Sequence, residues 1–188
     1  MNSTHVLKFN SKDSRLSGLP LRALFRSLTM GFIILTLSLS VAFAQEKTAD
    51  DLRIQWTGME RALELAAENN KTILIDVYAE WCSYCQRMQD EVYPDLEVRQ
   101  IIREYFIPVR VNVDSKQTLK YLDRSFTQEE FSRALENRST PTYYFMNEKG
   151  EVVGRQPGYM PADVFSSLLE FVGSGAYRTQ TYDEFNMN

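Results

Sequence analysis

The stretch Trp81-Cys82-Ser83-Tyr84-Cys85 contains the only two cysteines in 188 residues. Two thiols with two residues between them close into a disulfide or reopen as a dithiol, a reversible store for two electrons. Just upstream, Thr72-Ile73-Leu74-Ile75-Asp76-Val77-Tyr78 reads as a strand, and a helical pattern follows from Ser83. Cys82 is therefore expected at a helix N-terminus, where unpaired backbone N–H groups and the helix dipole favour a thiolate. Such placements lower a cysteine pKa from about 8.5 into the range of roughly 3.5–7.5. Cys82 is the expected nucleophile. Cys85, one turn in and less exposed, is the expected resolving thiol.

Other uses of a C-x-x-C pair fit less well. Haem attachment needs a histidine next, and position 86 is Gln86. A zinc site needs about four ligands, but the chain has no third cysteine and its only histidine is His5. An iron–sulfur cluster shared across a dimer has no positive support. A purely structural bridge this short closes almost no loop and stabilises little.

Residues 1–44 read as a signal peptide rather than as part of a fold. Lys8, Lys12, Arg15, Arg22 and Arg26 form a basic lead, an apolar run extends from Leu28 to Val41, and Ala42-Phe43-Ala44 is a small-x-small cleavage pattern. The alternative is an uncleaved anchor, since Leu28 to Ala44 is 17 residues, at the lower limit for a bilayer span. Without residues 1–44 the chain carries 16 Lys and Arg against 24 Asp and Glu, a net charge of −8. An acidic chain without a basic cluster is a poor nucleic-acid binder. The remaining 144 residues suffice for one domain with one core. They hold no histidine, so Ser-His, Cys-His and histidine–metal chemistry are excluded and cysteine and carboxylate chemistry remain.

Within that domain, Arg53-Ile54-Gln55-Trp56 is expected as a short edge strand, and Thr57-Gly58-Met59-Glu60 as a capping box opening a helix that carries Met59, Ala62, Leu63, Ala66 and Ala67 on one face. Asp76 interrupts an apolar strand. If buried it should have a raised pKa and exchange protons near neutral pH; the alternative is a solvent-facing position through strand alternation. The helix after Cys85 is expected to run to about Tyr93, with Asp95 capping a further helix and Ile107–Val113 forming the next strand. Residues 115–126 read as a helix-containing insertion, and Thr127 to Glu130 as a second capping box. Tyr143–Met146 and Val152–Gln156 read as a hairpin, followed by a helix from Pro161. Residues 173–188 form a polar tail, expected to be mobile or loosely docked.

The order predicts a mixed central sheet built from two βα crossovers and a hairpin, with helices on both faces. With Asp76 through Cys85 inside it, the chain closely resembles the thioredoxin superfamily over residues 52–172. Thr140-Pro141 sits where that family has its cis-proline, and Gly158 matches a glycine before the final helix. The resemblance implies that Asp76 assists proton transfer at the second cysteine, with Arg110 in place of the lysine thioredoxins often carry near that acid. It implies that Trp81 packs beside the disulfide, and that Pro141, if cis, sets the backbone of Thr140 against the sulfurs to pair with an extended substrate. Trp81, Ser83, Tyr84, Thr140 and Pro141 are thus the expected substrate-contact residues. The dipeptide Ser83-Tyr84 departs from the Gly-Pro of general thioredoxins, and the stretch from Asp114 to Pro141 is longer than in a minimal one. The signal, the amino-terminal helix and the insertion are more similar to exported thioredoxin-like reductases, including the periplasmic domain of the transmembrane electron-transfer reductase.

The expected function is an exported thiol–disulfide oxidoreductase that reduces protein disulfides in the bacterial periplasm, with no bound cofactor or metal. It is tethered to the membrane if residues 1–44 are retained. Its expected partners are disulfide-containing proteins and an electron-donating reductase, for which a membrane reductase is the candidate. An oxidase or isomerase of the same fold, or a thioredoxin fold used only as a binding or chaperone module, is the alternative.

Overall fold

A computed structural model describes residues 53–187; the expected signal peptide lies outside the described residues. The chain runs through α1 (Met59–Asn69), β1 (Thr72–Tyr78), α2 (Ser83–Arg87), a π-helical turn (Met88–Val92), α3 (Leu96–Tyr105) and β2 (Phe106–Asn112). It continues through β3 (Thr118–Tyr121), β4 (Arg124–Thr127), α4 (Gln128–Ala134), β5 (Thr142–Met146), β6 (Val152–Pro157) and α5 (Ala162–Gly173). A 3-10 turn (Ala176–Arg178) and α6 (Tyr182–Asn186) close it.

The main sheet has the order β2-β1-β5-β6. β1 and β2 are parallel, and β5 and β6 add antiparallel. One crossover, not two, joins parallel strands here, because residues 53–56 are not a strand. Thr57 N–H donates to Pro108 O across the outer edge of β2 (2.9 Å). Pro108 has no N–H to return, so a ladder cannot extend along that edge. The same bond holds Thr57 in an extended segment and moves the start of α1 forward by one residue. Gly58 is its N-cap, Glu60 pairs with Lys120, and the expected Thr57–Glu60 capping box does not form.

Strand β1 lies where its near-continuous apolar run places it, covered on both faces. On one face Ile73, Ile75 and Val77 pack with Met59, Ala62 and Ala66 of α1 and Phe131 of α4. On the other, Leu74 packs with Met88, Val92, Tyr93, α3 and Phe165 and Leu169 of α5. The sheet is therefore mixed, with helices on both sides. Asp95 caps α3 by accepting from Glu97 N–H and Val98 N–H, and Thr127 and Glu130 form the expected reciprocal box on α4.

Tertiary packing corrects one expectation and chooses between the two alternatives of another. Residues 115–126 contain no helix. They form the β3–β4 hairpin, which turns through Leu122 at φ 52°. Leu119, Tyr121 and Phe126 pack onto the α1–α4 core, and Tyr121 Oη donates to Gly150 O (2.7 Å). The tail does not hang free. Tyr177, Tyr182 and Phe185 pack on the second core, with Tyr182 and Phe185 each 5.4 Å from the Phe171 ring.

Candidate active site

Cys82 ends the loop after β1 and serves as the N-cap of α2. Its Sγ accepts from the Cys85 backbone N–H at 3.1 Å, and the two cysteines are joined in a disulfide. This is the arrangement that holds a negative sulfur when the bridge opens, because an N-terminal donor of the helix points at it. Cys82 and Cys85 are 6% and 2% exposed, so Cys85 is the more deeply buried of the two. They cluster with Ala79 and are flanked by Tyr78 and Val113.

A second, polar cluster is built around Asp76 of β1, the strand that leads into the cysteine loop. Asp76 is 2% exposed, which excludes the solvent-facing alternative. In the ladder it stands opposite Arg110 of β2 and Tyr143 of β5, so the three side chains share one face of the sheet. Arg110 Nε donates to Asp76 Oδ2 (3.0 Å) and Arg110 Nη1 to Gln89 Oε1 (3.3 Å). Gln89 lies on the π-helical turn that continues α2, so the guanidinium links the buried acid to the helical run bearing the cysteines. The guanidinium lies between rings, 3.8 Å from the Tyr78 centroid and 5.2 Å from Trp56. Burial pushes the Asp76 carboxyl above its ordinary range, and the charge of Arg110 partly opposes that rise. Burial also raises the Tyr93 and Tyr143 hydroxyls, and the nearby Asp76 charge adds to the effect.

Of the expected substrate-contact residues, Trp81 is 73% and Tyr84 55% exposed, and Ser83 is exposed at the first turn of α2. Trp81 Nε1 donates to Asp114 Oδ2 (2.8 Å), which ties the indole to the loop after β2. The Thr140–Pro141 peptide bond is cis. Pro141 O accepts from Gly158 N–H (2.8 Å), so the proline loop and the Gly158 loop are joined. Beyond Gly158, the Tyr159 ring lies 6.0 Å from Tyr84 and 4.2 Å from the Arg87 guanidinium. Arg87 pairs with Glu91, which also accepts from Tyr159 Oη (2.8 Å).

Sequence reasoning singled out both cysteines, Asp76 and Arg110, and the structure bridges the cysteines and pairs Arg110 with Asp76. It missed Trp56, Gln89, Tyr93, Tyr143 and Tyr159 as neighbours of the site. Tyr143 was within reach, because the register that sets Arg110 opposite Asp76 from one side sets Tyr143 opposite from the other. Nothing in the sequence marked Trp56 or Tyr93.

Residues 59–173 match the family described as a thioredoxin-like domain. The thiol:disulfide interchange protein DsbD of Photorhabdus laumondii is 25% identical over 118 residues, 61% of this chain and 18% of that protein. The chloroplastic thioredoxin-like protein HCF164 of Oryza sativa is 27% identical over 125 residues, 66% of this chain and 41% of that protein. The chain thus spans less than half the length of these relatives. A thioredoxin-fold protein from Helicobacter pylori superimposes with a TM-score of 0.56 at 29% identity, over 62% of this chain and 77% of that one.

Proposed function

The chain belongs to the thioredoxin-like domain family of disulfide oxidoreductases, and from that premise we propose that it is exported and reduces protein disulfides through Cys82 and Cys85. The observation that carries this reading is the Cys82–Cys85 pair at the start of α2, with the Cys85 N–H aimed at the Cys82 sulfur and a buried carboxyl, Asp76, on the strand that leads into the pair. In the dithiol form the Cys82 thiolate attacks one sulfur of a substrate disulfide, and the other substrate sulfur leaves as a thiolate. Asp76 takes the proton of Cys85. The Cys85 thiolate then attacks Cys82, the second substrate sulfur leaves, and two electrons have passed to the substrate. The substrate segment is expected along Thr140 and Pro141, flanked by Trp81, Ser83 and Tyr84. Similarity to DsbD, a thiol:disulfide interchange protein, supports exchange chemistry, and the expected partner is an electron-donating reductase, with a membrane reductase as the candidate.

A measured reduction potential tests the direction. A value near roughly −270 mV supports a reductase, whereas one near about −120 mV assigns the chain to the oxidases. Cys85→Ser tests the exchange itself: it should accumulate mixed disulfides through Cys82 that dithiothreitol releases. If no adduct forms, the fold serves only as a binding module.

A further inference from the structure

A cavity of about 320 Å³ opens at the outer edge of β2, between the start of that strand, residues 53–57 and the later parts of α1 and α3. Residues 53–57 run beside β2 there without joining it as a strand. Thr57 N–H reaches Pro108 O (2.9 Å), and Pro108 has no N–H to continue the ladder. The floor of the cavity is apolar, made by Ile54, Leu65, Ile102, Phe106 and Ile107. Its rim is basic: Arg53, Lys71, Arg99 and Arg103 line it, and among the described residues no acidic side chain does. Two of these cations are held in place. Arg99 Nε donates to Tyr93 O (2.9 Å), and Lys71 Nζ donates to Arg103 O (2.6 Å). Those bonds use one nitrogen of the guanidinium fork and one of three ammonium hydrogens, so both heads retain donors for an anion. The cluster stands out in a chain whose residues 45–188 carry a net charge of −8. Phe106 opens β2 opposite Thr72 of β1, so the cavity lies at the end of the sheet away from the cysteine loop, roughly 20 Å along β1.

We propose that this cavity binds a single-chain fatty carboxylate, with the alkyl tail on the apolar floor and the carboxylate on the basic rim. An apolar floor with cations only around it matches a molecule that is apolar along its length and anionic at one end. The tail gains by leaving water. The carboxylate exchanges part of its hydration for charge-assisted hydrogen bonds, and a guanidinium fork fits it through two parallel N–H groups. The volume falls at the lower end of the range for small-molecule sites, about 300–1,000 Å³, which suits one alkyl chain better than the two of a phospholipid. Charge argues in the same direction. A domain of net charge −8 is repelled from an anionic bilayer, whereas one small anion reaches the local basic rim by itself. The site is separate from the exchange chemistry at Cys82 and Cys85 and does not depend on it.

The test titrates dodecanoate, below its micellar range, into the full chain carrying carbon-13 at the isoleucine methyls. Ile54, Ile102 and Ile107 line the cavity, while Ile73 and Ile75 lie in the core on the α1 side of the sheet and serve as controls. The first three signals should shift saturably and the two controls should stay in place. Decanoate, two methylenes shorter, should bind roughly tenfold more weakly. The double variant Arg53→Gln, Arg103→Gln should bind dodecanoate roughly fivefold more weakly, with Ile73 and Ile75 unmoved as the sign of an intact core. The proposal is overturned if dodecanoate leaves the three cavity methyls still, or if dodecyl maltoside, the same tail without a charge, binds as tightly. Movement confined to Ile33 and Ile34 puts the ligand on the apolar run that ends at Val41 and also overturns it. Binding that appears only after Asp50→Asn and Asp51→Asn shows that the chain's own acids hold the rim, again against the proposal. Shifts produced by phosphatidylglycerol vesicles but not by dodecanoate assign the cavity to a membrane surface instead and overturn the fatty carboxylate.

Discussion

Replacing Arg110 with methionine separates the charge of this side chain from its packing. The side chains of Asp76 and Arg110 are 3% and 19% exposed, joined at 3.0 Å, so the carboxyl has little water to fall back on when its partner is removed. Methionine keeps an unbranched apolar stem against Trp56 and Tyr78 but brings no cation. Below the titration range of Asp76 the carboxyl is neutral in both proteins. What is lost there is the stacking of the guanidinium on two rings, about 1–2 kcal/mol. Above that range the wild type holds a paired carboxylate, while the variant must bury an unpaired charge or keep its proton. Stripping one partner from a buried pair costs about 3–5 kcal/mol. The sign follows from linkage. Asp76 has a folded pKa above its unfolded value, so the native state retains the proton longer and its stability falls as pH rises from the ordinary carboxylate value through the folded one. Removing Arg110 raises the folded value further and extends the fall to higher pH, at up to about 1.4 kcal/mol per unit. Urea denaturation of the oxidised protein at intervals from acid to alkaline pH, followed by circular dichroism, measures the difference. A destabilisation of equal size at every pH would refute the argument, because it would show that the carboxyl draws no support from the guanidinium.

Three further outcomes concern stability alone. Gly173→Ala places a Cβ 2.6 Å from the Tyr105 Cβ, a contact between two helices that cannot shift cheaply; about 1–3 kcal/mol should be lost in chemical denaturation. Asp95→Ala removes the acceptor for two N–H groups at the start of α3 and should cost about 1 kcal/mol, read as a fall in Tm, with Asp95→Asn recovering most of it. Ending the chain after Gly175 removes Tyr177, Tyr182 and Phe185 from the core under α5. At about 1 kcal/mol for each half-buried ring the loss should approach 3 kcal/mol, whereas a truly loose tail would leave the urea midpoint unmoved.

The parts of the fold that were legible in the sequence are those whose cause is local. Strand β1 has a seven-residue run, apolar but for Thr72 and Asp76, between an αL Asn70 and the cysteine loop, and that run alone requires cover on both faces. Asp95 and the Thr127–Glu130 box satisfy N–H groups within three residues of themselves. Thr57–Glu60 has the same letters, but a bond from Thr57 N–H to Pro108, fifty-one residues away, decides its conformation. The β3–β4 hairpin escaped reading because its three inward residues, Leu119, Tyr121 and Phe126, are too few to show a period of two among polar neighbours. At the site, Cys82, Cys85 and Asp76 stand out by residue type. Tyr93 and Tyr143 do not, because an aromatic in an apolar run is ordinarily core. Their hydroxyls matter only once register and the π-helical turn bring them to the carboxyl.

The buried acid and its cation make sense only as a pair. A carboxylate with an ordinary pKa near 3.9 is a poor base for a thiol near 8.5: the proton would move uphill by about 4.6 units, or roughly 6 kcal/mol. Burial closes that gap from the acid's side, each unit of rise removing about 1.4 kcal/mol. Burial without limit would leave Asp76 permanently protonated and unable to accept anything. Arg110 sets the limit. It lies opposite Asp76 in the ladder, is held by the Tyr78 and Trp56 rings, and donates through Nε, so it stabilises the charged form and opposes the rise that burial causes. In the proposed mechanism, a one-residue slip of β2 against β1 would turn Arg110 to the α1–α4 face and leave an acid of the right strength that never loses its proton. On that mechanism the register of two adjacent strands governs the rate at which Cys85 can be made nucleophilic, although neither Asp76 nor Arg110 carries an electron.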